Sequence, residues 1–114
     1  MRTLLAPIFA LTLAACATEN QSSQQNLVER GRTLARINCA DCHAIGAADQ
    51  SPAPEAPAFR TLHEKYRVDS LQEALAEGIS VGHPAMPEFM FTPEDADAMI
   101  AYLQSIQAGP PPAR

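Results

Sequence analysis

The segment Cys39-Ala40-Asp41-Cys42-His43 constrains what this chain can fold into more than any other part of its sequence. On a helical turn, side chains three or four residues apart lie on the same face, so two thiols and an imidazole can reach one common group. The spacing is typical of c-type haem attachment, with two thioether bonds to the porphyrin and an axial histidine. We therefore expect one covalent haem c per chain, attached through Cys39 and Cys42 and ligated by His43.

Two other uses of a Cys-x-x-Cys pair fit the sequence less well. Structural zinc takes four Cys or His ligands, but the only other cysteine, Cys16, lies in an apolar N-terminal segment. The remaining histidines, His63 and His83, do not have zinc-finger or zinc-ribbon spacing to the pair. A thioredoxin-like redox pair follows a strand in a βαβ unit, and no strand pattern precedes Cys39.

Length and charge limit the range of functions. The chain has 114 residues, enough for one small domain. A domain of fewer than about 90 residues buries only roughly 60% of its unfolded surface, so a bound haem would add much-needed apolar surface to its core. The formal net charge is −5, and the lack of a basic stripe argues against nucleic acid binding. The acidity either favours a redox partner with a positive docking face or serves solubility alone.

The N-terminus predicts export. Residues 1–15 have the features of a signal peptide, because a positive start at Arg2 precedes an apolar run too short to span a bilayer. The ending Leu13-Ala14-Ala15-Cys16 resembles the lipobox of bacterial lipoproteins, which are cut before the cysteine and acylated on it. We expect a lipid anchor at Cys16.

Two details qualify that expectation. By analogy with Gram-negative lipoproteins, Ala17 after the cysteine favours the outer membrane. A plain signal peptide is the rival, because the sequence Ala15-Cys16-Ala17 also satisfies the small-x-small cleavage rule. Cleavage there would remove Cys16.

The remaining chain predicts an all-α domain. Residues 16–25 are polar and without periodicity, which predicts a flexible tether, and residues 109–114 form a proline-rich tail. Residues 26–108 carry helix signals and no strand pattern, so we predict a small fold of three to four helices wrapped around one haem. The predicted helix boundaries are Asn26 for the first helix, Pro57 for the second, Asp69 and Gly78 for the third, and Thr92 with Pro93 for the last.

Two helices carry packing signals. Gly31 lies inside the first helix, where glycine costs up to about 1 kcal/mol relative to alanine, so we expect another helix to approach closely there. The last helix has an apolar stripe formed by Ala96, Met99, Ile100, Leu103 and Ile106.

The second axial ligand must come from a distant part of the chain. The loop Gly82-His83-Pro84-Ala85-Met86-Pro87 is the strongest source, because prolines on both sides stiffen the backbone around Met86. A thioether is a soft, neutral ligand that raises the reduction potential relative to a second imidazole. Met90 is a weaker candidate, and the helical position of Met99 is typical of a core residue.

These motifs, in their order along the chain, resemble bacterial class I cytochromes c from Asn26 to Ile106. The resemblance rests on Gly31, Cys39 to His43, Pro57-Ala58-Phe59, the Met86 loop and Tyr102.

The resemblance implies that the first and last helices cross, with Gly31 and Ala35 against Met99 and Tyr102. It also implies that a backbone carbonyl, at Pro54 or Pro57, accepts the second imidazole N–H of the haem ligand.

We therefore predict an electron-transfer protein, not an enzyme, with His43/Met86 ligation in the periplasm or at a membrane surface. It would work with redox partner proteins, as a monomer or as a subunit of a complex. The alternative is a haem c subunit of a periplasmic dehydrogenase or oxidase complex. A gas or redox sensor would need an attached output module, which this sequence does not encode.

The roles of several polar residues stay open at this stage. His63 shares a stripe with Phe59 and Tyr66, and we expect it to be half-buried and bonded to a backbone group or a haem propionate. We expect His83 on the exposed rim of the loop, although it is an alternative ligand if Met86 leaves. The residues that could bond the haem propionates are Arg60, Tyr66 and Arg67.

Overall fold

The computed structural model describes residues 13–78 and 83–108, with side chains from Thr18 onward. Within these ranges every regular element is helical: α1 (Leu13–Asn38), two 3₁₀ helices (Phe59–Glu64 and Val68–Ser70), α2 (Leu71–Glu77) and α3 (Pro93–Ser105). The predicted all-α fold is confirmed. The early signal residues, the Cys16 side chain, Gly82 and the tail 109–114 lie outside the described part.

The first helix begins well before the position predicted for it. α1 starts at Leu13, so the prediction of a start at Asn26 is wrong. Residues 18–26 are all exposed, which explains why they show no hydrophobic periodicity. A polar stretch without glycine or proline can still continue a helix, because only burial requires an apolar face. The use of residues 16–25 as a tether stays a prediction.

α1 and α3 cross at Gly31, and the contact leaves no space for a side chain. A Cβ atom at Gly31 would lie 2.0 Å from the carbonyl oxygen of Ala98 and 2.7 Å from the Cβ atom of Tyr102. Ala35, one turn further along α1, is fully buried and belongs to the same cluster as Met99 and Tyr102. The predicted crossing of the first and last helices is confirmed.

The core lies between α1, α3 and the segment that joins them. Its buried members are Ala35, Phe59, Leu62, Val68, Met99, Ile100, Tyr102 and Leu103. Four of the five residues of the predicted α3 stripe are buried, whereas Ile106 is half-buried and ends the helix.

The middle segment is helical, but its boundaries differ from those predicted. The second helix is a 3₁₀ helix that begins at Phe59 rather than at Pro57. Asp69 does not cap α2, which begins at Leu71. The carboxylate of Asp69 pairs with Arg67 instead, with Nη2 and Oδ2 2.6 Å apart, and this pair lowers the pKa of Asp69.

Two helix-boundary predictions are confirmed. Gly78 ends α2 in the left-handed region, with φ at +75°, where glycine meets no Cβ penalty. Thr92 caps α3, since its hydroxyl accepts a hydrogen bond from the Asp95 N–H at 3.2 Å and Pro93 follows as the first helical residue.

Gly31→Ala tests the helix crossing. Helix propensity alone would stabilise the protein, because alanine is the better helix former. The crossing predicts the reverse, a loss of about 1–3 kcal/mol in the free energy of unfolding, since the new Cβ meets backbone atoms of α3. Chemical denaturation of the haem-bound protein measures the change, with exposed Arg32→Ala as the control. A Gly31→Ala variant as stable as the parent would contradict the crossing.

Candidate functional site

The Cys39–His43 segment forms one helical turn directly after α1. The Cys39 N–H donates to the Ala35 carbonyl at 2.9 Å, and the His43 N–H donates to the Cys39 carbonyl at 2.9 Å. Hydrogen bonding of the helical type therefore continues past Asn38, whose side-chain amide donates to the Leu34 carbonyl. The two cysteines form no disulfide, and the turn brings them and the imidazole to one cavity.

The two thiols differ in their surroundings. Cys42 is exposed, whereas Cys39 is half-buried against the core. Burial raises the pKa of the Cys39 thiol to about 11, and the nearby Cys42 adds to the shift.

The ring of His43 has a defined orientation and tautomer. Its Nδ1 lies 2.8 Å from the Pro57 carbonyl oxygen. A carbonyl can only accept, so Nδ1 carries the proton and Nε2 keeps a free lone pair, as an imidazole ligand to a metal requires. The Phe59 ring packs against the imidazole, with the two ring centroids 5.1 Å apart and the ring planes tilted by 45°. Of the two predicted carbonyls, Pro57 is the one that makes this bond.

The loop after His43 is held by its own polar side chains. The Asp49 carboxylate accepts hydrogen bonds from the backbone N–H groups of Ile45 and Gly46. The Arg60 guanidinium donates to the Asp49 carbonyl at 2.8 Å. Ser51 accepts from the Ala44 N–H at 2.9 Å. The sequence names Arg60 among the residues that could bond a haem propionate, and in the structure its guanidinium holds this loop.

The same loop is attached to the helices that flank it. The Tyr102 hydroxyl on α3 donates to the Ile45 carbonyl at 2.5 Å. The Phe59 N–H donates to the Ala44 carbonyl at 2.9 Å. These bonds connect the two residues that follow His43 to α3 and to the first 3₁₀ helix, so the fold around the ring restricts its position.

A cavity of about 510 Å³ opens beside the turn. Cys39, Cys42, His43 and Met86 all line it. Its other walls are mostly apolar and include Phe59, Leu62, Leu71, Leu75, Met99 and Leu103. The four predicted site residues therefore share one cavity, although they come from two distant parts of the chain.

The methionines occupy different environments. Met86 is half-buried on the cavity wall. Met99 also lines the cavity, but it is packed within the core with 2% of its surface exposed. Met90 is 79% exposed and is not part of the wall.

The two remaining histidines are also placed. His83 is exposed at the cavity rim, as predicted, and its Nδ1 accepts a hydrogen bond from the Ala85 N–H at 3.2 Å. His63 is half-buried as predicted, but it is outside the cavity lining. Its ring Nδ1 pairs with the side chain of Gln107 rather than with a backbone group. Nothing in the sequence pattern indicated this pair, because the two residues are 44 positions apart.

The structure also places the candidate residues for bonding to the haem propionates. Arg67 pairs with Asp69, and neither Arg60 nor Arg67 lines the cavity. Lys65 and Tyr66 do line it. The sequence analysis named Tyr66 but missed Lys65. The only sequence feature that could have indicated Lys65 is its position next to Tyr66, between Arg60 and Arg67.

Comparison with known families identifies the fold. The family model for cytochrome c matches residues 28–107. The chain belongs to the cytochrome c family. Members of this family bind haem c covalently through cysteines and take part in electron transfer, and this cytochrome has the donor set for that cofactor. Two thiols and an oriented imidazole lie on one turn against an apolar cavity, so the residues present fit haem c.

Comparison of the sequence with curated proteins and with solved structures found no match. In the described part of this cytochrome, no helix combines the length and apolar character needed to cross a bilayer.

Tyr102→Phe tests the attachment of the haem-side loop to α3. Loss of the hydrogen bond to the Ile45 carbonyl is expected to lower the free energy of unfolding at neutral pH by about 1 kcal/mol. Burial also raises the pKa of the Tyr102 hydroxyl, against an opposing effect of Arg32. The stabilisation from this shift is complete below the unfolded-state pKa of about 10 and is lost as pH rises through the higher folded-state pKa.

The measurement is chemical denaturation at neutral and at strongly alkaline pH. Tyr102→Phe is expected to lose less stability than the parent on going to alkaline pH, because the group that titrates is gone. Tyr66→Phe, at a half-exposed tyrosine, is the matched control and should follow the parent at both pH values. An equal alkaline loss in the parent and in Tyr102→Phe would contradict the assignment.

Proposed function

We propose that this cytochrome is a monohaem electron carrier in which Cys39 and Cys42 form the thioethers and His43 and Met86 are the axial ligands. The observation that carries the proposal is that these four side chains line one cavity. When bound, haem c supplies a one-electron iron couple. The role of the chain is then to fix the cofactor, complete the coordination of the iron and limit the access of water.

On the proximal side, His43 is prepared for ligation. The Pro57 carbonyl holds the proton on Nδ1, which leaves Nε2 to bind iron. A hydrogen bond of this kind also makes the imidazole a stronger electron donor and fixes the plane of its ring. Packing of Phe59 against the ring restricts its rotation.

On the distal side, Met86 is favoured over Met99. Met86 lies between Pro84 and Pro87 and lines the cavity. Its side chain is only half-buried, so core packing does not hold it in place. Met99 is a core residue on α3 whose side chain already packs between neighbours. A methionine in the sixth position leaves no open site for a substrate, which favours electron transfer over catalysis.

Exposure around the cavity indicates where electrons would enter and leave. Cys42, Ala85 and Pro87 line the cavity and are exposed, so the cavity reaches the protein surface along this wall. The formal net charge of −5 would steer the protein toward a redox partner with a positively charged docking face. We propose that partner proteins bind over this wall.

Met86→Ala tests the distal ligand. We expect the weak far-red band of sulfur-ligated ferric iron to disappear from the absorption spectrum, while the haem stays attached. Two matched controls come from the same chain: Met90→Ala at an exposed position and Met99→Leu in the core should both keep the band. Loss of the band in Met99→Leu with its retention in Met86→Ala would reverse the assignment of the two methionines.

We also propose that the protein acts outside the cytoplasm, in the periplasm, held to a bacterial membrane by acyl chains on Cys16. The support is the lipobox-like sequence before Cys16. Acyl chains contribute roughly 0.8 kcal/mol per buried CH₂, and stable attachment takes more than one chain.

Cys16→Ser tests this location in the native bacterium. The parent protein should fractionate with membranes and incorporate a fatty-acid probe, and the variant should do neither. Both should still contain covalent haem, because Cys16 takes no part in its attachment. An intact mass that corresponds to a mature parent chain beginning after Cys16 would disprove the anchor.

A further inference from the structure

Gln107 uses its whole hydrogen-bonding capacity within the protein. Its Nε2 donates to the carbonyl oxygens of Phe59 at 2.8 Å and Leu103 at 2.7 Å. Its Oε1 accepts from the backbone N–H of His63 at 2.9 Å and from the ring Nδ1 of His63 at 3.1 Å. A primary amide offers two N–H donors and an oxygen with two lone pairs, so all four positions are filled.

These bonds join the end of α3 to the first 3₁₀ helix. Gln107 lies two residues after Ser105, the last residue of α3, and Phe59 and His63 are on the 3₁₀ helix. The neighbouring Ala108 N–H donates to the Arg60 carbonyl at 2.9 Å, in the same direction. A short 3₁₀ helix has poor internal hydrogen bonding. Hydrogen bonds from other elements therefore contribute strongly to holding this helix in position.

Phe59 connects this junction to His43. Its carbonyl accepts from Gln107, its N–H donates to the Ala44 carbonyl, and its ring packs on the imidazole of His43. Pro57, whose carbonyl accepts from His43, is only two residues before Phe59. Displacement of the Phe59 backbone would therefore displace both the packing surface and the hydrogen-bond acceptor of His43.

We propose that Gln107 is a positioning residue for the haem ligand His43, acting through Phe59 and the Pro57 carbonyl. The inference rests on the proposed role of His43 as proximal ligand. A firmly held Pro57 carbonyl strengthens electron donation from the imidazole, which stabilises ferric iron and lowers the reduction potential. Loosening the acceptor therefore raises the potential.

Gln107→Met is the central variant, because methionine has a similar length but cannot donate or accept these hydrogen bonds. It is made in the haem-bound protein and compared with the parent by two measurements. The reduction potential is expected to rise. The ring N–H of His43, followed by NMR, is expected to exchange with solvent several-fold faster, because its bond to Pro57 opens more often.

Two control variants separate positioning from general loosening. Gln104→Met changes an exposed glutamine on α3 and should leave both measurements unchanged. His63→Leu removes the ring bond to Oε1 but keeps the Nε2 bond to the Phe59 carbonyl. It should lower stability with little effect on the potential or on the exchange rate.

The inference is overturned if Gln107→Met keeps the parent's potential and exchange rate, even when its stability falls. It is also overturned if His63→Leu shifts both as far as Gln107→Met does. The ligand itself is checked with His43→Ala. If that variant keeps the low-spin spectrum of the parent, the proposed ligand set fails and the inference fails with it; if the low-spin spectrum is lost, the outcome for Gln107→Met judges the inference alone.

Discussion

Close contact between α1 and α3 at Gly31 determines where the other parts of this cytochrome can lie. The Ala98 carbonyl occupies the space where a side chain would be, so the two helices approach as closely as their backbones allow. The crossing directs the end of α1, and with it the Cys39–His43 turn, along the side of α3. It also brings the Tyr102 hydroxyl within reach of the Ile45 carbonyl, just after the turn. The site is thus a consequence of helix packing, not of the motif alone.

The core formed by this packing surrounds a space. Phe59, Leu62, Met99 and Leu103 belong both to the hydrophobic cluster and to the cavity wall. A protein interior is close-packed, and a domain of this size has little apolar surface to spare. Haem c would resolve both problems, because its large apolar ring would fill this space and covalent attachment would keep it there. Stability and function therefore depend on the same side chains.

The sequence was most informative where chemistry or backbone geometry requires one residue type. The thiol pair with its adjacent histidine, Thr92 at the start of α3 and Gly78 at the end of α2 were all predictable for that reason. It was least informative where contacts join distant residues. The start of α1 was misplaced because polar residues can continue an unburied helix, and the Gln107 junction has no local signature. Arg60 could be assigned only after the position of Asp49 was known.

The measurement that tests the central claim most directly is the absorption spectrum of the purified protein, oxidised and reduced, with and without carbon monoxide. The account predicts haem that stays with the denatured chain, a sharp low-spin spectrum in the reduced state and no response to carbon monoxide, because the proposed ligands His43 and Met86 would fill both axial positions. High-spin iron or ready binding of carbon monoxide would contradict the closed site. Haem that separates from the denatured chain would contradict attachment through Cys39 and Cys42.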